Sequence, residues 1–111
     1  MLDFLSPRII ALVLILISVM FEVGGDIFFK LFSVDNKYSF FFIGLGIYII
    51  GGIFWAVSLK YDFISRAASI FTLLNLLILV AVGVMFFNEQ LNLANKIGVM
   101  LGVLAVILLE I

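Results

Sequence analysis

An all-α integral membrane protein with four transmembrane helices in a single domain, residues 1–111, is what the sequence predicts, and two observations dictate it. Of its 111 residues, 67% are hydrophobic and only 12% are charged, and the mean hydropathy is +1.45. A soluble domain of this length has too little interior to hide so much apolar surface. The apolar residues also fall into four membrane-length runs, about 7–32, 38–59, 63–87 and 91–111, separated by short polar turns. Connections this short make consecutive helices antiparallel neighbours, a pair of hairpins with no stretch left for a soluble domain.

The first span opens with Ser6 as N-cap and Pro7 in the first turn, where a missing N–H costs nothing. Its beginning, MLDFLSPRIIALVLILISVMFE, has the apolar run of an export signal but an acid where a basic leader belongs. A polar stripe also continues the same helix, so a retained span is expected. That stripe is the chemically informative part of the chain. Ser18, Glu22, Asp26 and Lys30 are spaced four apart and lie along one slowly drifting helix face. A carboxylate at bilayer depth costs roughly 3 kcal/mol on insertion scales, which makes Glu22 and Asp26 the first candidates for function. Gly24 and Gly25, between the acids, allow a close approach by another backbone or a ligand. The same residues also fit an Asp26–Lys30 pair beside a buried, idle Glu22.

A polar loop, 33–37, is expected next. The second span, 38–59, carries no charge over about 22 residues, which is about 33 Å of helix. Tyr48, Gly51, Gly52, Trp55 and Ser58 share one of its faces, and Tyr48 lies too deep for the interfacial aromatic belt. Such a face opposite a carboxylate suits a hydrophobic cation, through ring-face attraction and apolar contact, and it suits plain helix packing equally. In the third span Ser65, Ser69, Thr72 and Asn75 follow helical spacing inward from Arg66, either lining a wet cavity or bonding across helices. Arg66 either snorkels to the surface or pairs with Glu22 or Asp26. The fourth span carries Gly98 and Gly102 four apart, with Ala105 one turn on; this small-residue face is expected to serve dimerisation in preference to packing inside the chain.

Basic residues do not set an orientation. Arg8, Lys60 and Arg66 fall on one side of the membrane, and Lys30, Lys37 and Lys96 on the other. Such a balance is compatible with chance and with a chain that inserts both ways up and pairs with an inverted copy of itself, as in inverted-repeat transporters. Several function classes are excluded or disfavoured. A formal net charge of −1 provides no footprint for nucleic acid. With no cysteine and no histidine, the usual metal ligands are missing and any proton chemistry falls to carboxylates. No nucleophile, metal cluster or glycine-rich phosphate loop accompanies the two acids, so neither an enzyme nor a cofactor is expected.

Three segments together resemble the small multidrug resistance family of the wider drug/metabolite transporter group. They are FEVGGDIFFK (21–30), with a membrane acid followed by lysine eight positions later, FFNEQLN (86–92), and IGVMLGVLAVILL (97–109). The similarity covers essentially the whole chain, including its length, four spans and loop sizes. It implies a proton-coupled exporter of small cations in the inner (plasma) membrane, working as an antiparallel homodimer or with a related chain as partner. The resemblance puts Glu22 on the essential acid, Ser18 and Gly25 on its helical neighbours, and Tyr48 on a binding-pocket tyrosine. Gly98 falls on the first small residue of the last-helix dimer motif, with Ala105 where the second is glycine. The chain departs from the family in FISRAASIFT (63–72), where Ala68 and Phe71 replace a tyrosine and a tryptophan and Arg66 intrudes; Asp26 is extra.

The expected mechanism is alternating-access exchange at Glu22. A proton and a cation compete for the same carboxyl oxygens, so loading one requires releasing the other. Asp26 would add a second negative charge suited to a dication, or be neutralised by Lys30 or Arg66. Two other functions fit the residues: a flippase-like or metabolite carrier for an anionic or lipid-linked substrate handled by Arg66, and a small non-transporting membrane subunit.

Overall fold

The computed structural model describes residues 6–110, and within them the chain is four helices. These are α1 (Pro7–Asp35), α2 (Tyr38–Ser58), α3 (Ile64–Phe86) and α4 (Leu93–Glu110). The first three are long and apolar enough to cross a membrane; the apolar part of α4 is shorter. The fourth expected span is thus present as a helix but falls short of the other three. Its 18 residues make about 27 Å of helix. Residues 1–5 and Ile111, the last position of that expected span, lie outside the described residues.

The ends of α1 and the start of α4 follow capping chemistry more closely than polarity, whereas α2 and α3 start without a side-chain cap. Ser6 caps α1 as expected, its Oγ accepting the Ile9 N–H at 3.3 Å. The C-terminus differs: α1 runs through the expected 33–37 loop as far as Asp35. It stops only where Asn36 turns left-handed (φ 56°) and donates its N–H to the Phe32 carbonyl at 2.7 Å. Ser33 and Asp35 are polar but not helix breakers, whereas asparagine tolerates the left-handed cap. At the head of α4, Asn92 and Asn95 exchange side-chain-to-backbone bonds of 2.8 and 3.3 Å, a reciprocal cap that starts the helix two residues later than polarity alone suggests.

The two expected hairpins, α1–α2 and α3–α4, meet through α1 and α3. Small residues set the α1–α2 crossing. A Cβ placed on Gly25 would sit 3.0 Å from the Gly44 carbonyl oxygen, and one on Gly44 would sit 3.0 Å from the Gly25 oxygen. One stretch further along, the buried Ser18 Oγ donates to the Gly51 carbonyl at 2.8 Å. Towards the α1–α2 turn the contact becomes aromatic. Phe28 faces Phe40, Phe29 faces Phe41 and Tyr48, and Phe32 faces Tyr38 and Phe41, with ring centres 5.5–6.1 Å apart. The apolar core is Ile15, Val19 and Val23 of α1 against Ala67 of α3, flanked by Trp55, Phe71, Leu74 and Ile78.

α4 leans chiefly on α3. The whole is a plate, with principal extents of 46 × 35 × 18 Å, not a square bundle. Of the small residues expected at a dimer face, Gly102 packs inside the chain, where a Cβ would lie 3.5 Å from Leu76. Gly98 has open space around it and Ala105 is exposed.

Candidate functional site

The plate buries the Glu22 side chain by stacking α2 and α3 on the two flanks of α1. Glu22 is only 7% exposed. It needs the absence of a side chain opposite: a Cβ on Gly51 would stand 3.1 Å from its Oε1 and 3.0 Å from Phe21 Cβ. Glu22 opens into a cavity of about 310 Å³ lined by Trp55, Ala68, Phe71 and Thr72. That volume is at the lower end of what small-molecule sites occupy. The Trp55 and Phe71 rings meet at 5.0 Å with a 57° tilt and form an aromatic wall. Phe71 of α3 and Trp55 of α2 thus supply an aromatic surface beside the acid. Spacing along one helix could not reveal this, because the two rings come from different helices.

Asp26, one turn along α1, lines a different cavity of about 180 Å³ together with Ile27, Lys30, Val82, Gly83 and Glu89. The Tyr48 hydroxyl of α2 comes close enough to interact with both carboxyls. Tyr48 packs so tightly over Gly25 that a Cβ there would lie 2.7 Å from its ring. The two acids therefore share one phenol as a neighbour while facing separate spaces. A third cavity, about 380 Å³, runs along α3 past Thr72, Asn75, Leu79 and Glu89 to Leu91. Thr72 also lines the Glu22 cavity, and Glu89 also lines the Asp26 cavity, so the three spaces follow one another around α3.

Not every residue singled out by spacing lies on these surfaces. Glu22, Trp55 and Thr72 come together; Asp26 and Asn75 border the adjoining spaces. The Ser69 hydroxyl turns back onto its own helix and donates to the Ser65 carbonyl at 2.6 Å. Ser18 and Gly25 act at the α1–α2 contact and line none of the three cavities.

Both basic residues expected as charge partners of the acids pair elsewhere. Arg66 Nη1 lies 4.0 Å from Asp62 Oδ1, one turn back across the start of α3. Lys30 Nζ lies 3.7 Å from Glu89 Oε2. Among the described residues, neither Glu22 nor Asp26 has a salt bridge within 4.0 Å. Glu89 is the residue that sequence reasoning missed. The segment 88–90 looks like a plain polar turn, and only folding brings it over α1. Among the described residues, Asn75 Oδ1 is buried without a hydrogen-bond partner, an acceptor beside the third cavity.

No family model, no curated protein and no solved structure matches the chain.

Proposed function

We propose that the protein is a proton-coupled exchanger of small organic cations, of the small multidrug resistance type, working by alternating access at Glu22 as an antiparallel pair of chains in the cell membrane. One observation carries this reading: a buried carboxyl without a basic partner opens onto a cavity walled by two aromatic rings. An unpaired carboxylate in such a place is costly, so it is held either as the acid or against a cation. That alternation is the exchange. A proton arriving from one side releases the cation, and loss of the proton restores the site for the next one. Trp55 and Phe71 favour a cation with apolar or aromatic surface, through dispersion and ring-face attraction.

The flippase-like alternative requires a basic group facing the substrate. Arg66 is instead engaged with Asp62 at the α2–α3 turn, which weighs against an anionic or lipid-linked cargo. Trp55 is the chain's sole tryptophan and lines the Glu22 cavity, so its fluorescence reports occupancy directly. Purified protein in proteoliposomes is expected to exchange protons for hydrophobic cations, with a matching change in Trp55 emission that weakens as pH falls. Glu22→Gln should abolish both. Exchange that persists in that variant, or wild-type protein inert to a broad cation panel, overturns the proposal.

A further inference from the structure

The Lys30–Glu89 pair has a consequence for Asp26. We infer that Glu89 is a positioning residue: it parks the Lys30 ammonium away from Asp26 and so keeps that carboxyl open to the cavity they share. Asp26, Lys30 and Glu89 all line this one space. On a helix, an acid four residues before a lysine is the favourable order for a pair, so Asp26 is the natural local partner for Lys30. The lysine nevertheless lies against Glu89, at 3.7 Å.

The seat of Glu89 is built for this. The turn after α3 passes through Asn88 in the left-handed region (φ 54°). The Glu89 N–H then donates to the Gly83 carbonyl at 3.0 Å. The carboxylate folds back over Gly83, and any Cβ at that position would collide with Glu89 Oε1. Glu89 thus stands where the Asp26 cavity meets the one that leads past Asn75 and Thr72 to Glu22. The other groups around Asp26 are Glu22 and Lys30 on its own helix and the Tyr48 hydroxyl from α2. Of these only Lys30 carries a positive charge. Without Glu89, the ammonium has one carboxylate left to bind in that space, Asp26, and the site closes.

In the exchange proposed above this makes Asp26 a second station for the solute, and to that extent the inference rests on that reading. Its primary test does not. Carbodiimide reacts with protonated, unpaired carboxyls and spares ion-paired ones, so labelling of Asp26 in the membrane-embedded protein, in a Glu22→Gln background and read by peptide mass, reports whether Lys30 has moved. Glu89→Gln is expected to reduce Asp26 labelling at least about fivefold, and Lys30→Gln added to Glu89→Gln to restore it, a coupling typical of groups in direct contact. Gly83→Ala, which pushes the flexible Glu89 carboxylate aside without removing its charge, should reduce Asp26 labelling less than Glu89→Gln does, and Lys30→Gln should restore what is lost. A pair that merely braced the fold would give a double variant no better than either single one. Unchanged labelling in Glu89→Gln, or no rescue by Lys30→Gln, overturns the inference. If labelling follows the expected pattern but wild-type protein exchanges no cation, the transport reading falls and the role of Glu89 stands.

Discussion

Replacing Gly44 with alanine should destabilise the protein, whereas the same change two residues on, at Gly46, should stabilise it. Both glycines lie inside α2, so alanine gains about 1 kcal/mol of helix propensity at either one. What differs is what the new methyl meets. At Gly44 it would lie 3.0 Å from the Gly25 carbonyl oxygen and 2.9 Å from the Phe29 ring; at Gly46 nothing lies within 4 Å. Phe29 can rotate, but a backbone oxygen in the middle of α1 cannot, so the helices must part by a few tenths of an ångström along a seam of mutually tilted rings. Overpacking of that kind costs about 1–3 kcal/mol, leaving Gly44→Ala some 1 kcal/mol below the wild type, and Gly46→Ala about 1 kcal/mol above it. A gap of about 2 kcal/mol corresponds to roughly 10 °C in melting temperature for a chain of this size. Thermal unfolding in detergent, followed by Trp55 emission, measures it. If Gly44→Ala melts at or above Gly46→Ala, α1 and α2 do not cross where Gly25 and Gly44 face each other. Gly25→Ala should fall with Gly44→Ala, and the double variant should cost less than the sum, because both methyls push on the same seam.

Other outcomes follow from the same contacts. Ser18→Ala removes the hydroxyl that donates to Gly51 and should lower stability by about 1 kcal/mol in a denaturant or thermal melt. Arg66→Ala strips the basic partner from Asp62, whose side chain is 5% exposed, leaving Oδ1 with only the Phe63 N–H at 2.8 Å and Oδ2 with no hydrogen-bond partner among the described residues. Melting should drop by the equivalent of about 1–3 kcal/mol, while cation-induced Trp55 quenching keeps its midpoint; a shifted midpoint with unchanged melting would give Arg66 a place in binding. Phe71→Ala opens the aromatic wall beside Glu22 and should weaken binding of an aromatic cation about tenfold, with a smaller effect on a compact aliphatic one, as read by fluorescence titration.

The helices themselves are legible in the sequence because each is apolar over a membrane-length run. How each one is rotated about its axis is not. α1 carries its own phase marker, the 18–22–26–30 stripe, along which Ser18 and Glu22 lie in the interior and Lys30 is exposed. In α2 almost every residue is apolar, so hydropathy has no preferred side; Gly44 and Gly51, seven residues apart, mark the side that meets α1, together with Phe40, Phe41 and Tyr48. In α4 two glycines four apart suggest one shared face, yet Gly102 meets Leu76 while Gly98 meets nothing. Ser69 shows the same limit at the level of a single side chain. Its spacing points inward, and it is buried, but its hydroxyl finds a carbonyl one turn back on its own helix before any cavity. The Glu89–Lys30 contact was further out of reach, since it depends on the path of a turn whose left-handed Asn88 carries no hydrophobic signal.

The shape of the plate bears on the proposed exchange. A helix with its side chains is about 10 Å across, so a Cα thickness of 18 Å amounts to barely two layers. A solute at Glu22 therefore has protein on one side, from Trp55, Phe71 and Thr72, and needs a second wall before water and lipid are excluded from it. In the proposal an inverted second copy supplies that wall, and α4, which is largely exposed and keeps Gly98 and Ala105 open, is the edge along which two copies would close. Inversion also does what a parallel pair cannot. In the proposal it would set the Lys30–Glu89 end of one chain beside the Arg66–Asp62 end of the other, so both sides of the membrane would meet the same pair of ends. Exchange by alternating access needs two exits, and in this scheme a chain of four helices provides them by being used twice in opposite directions.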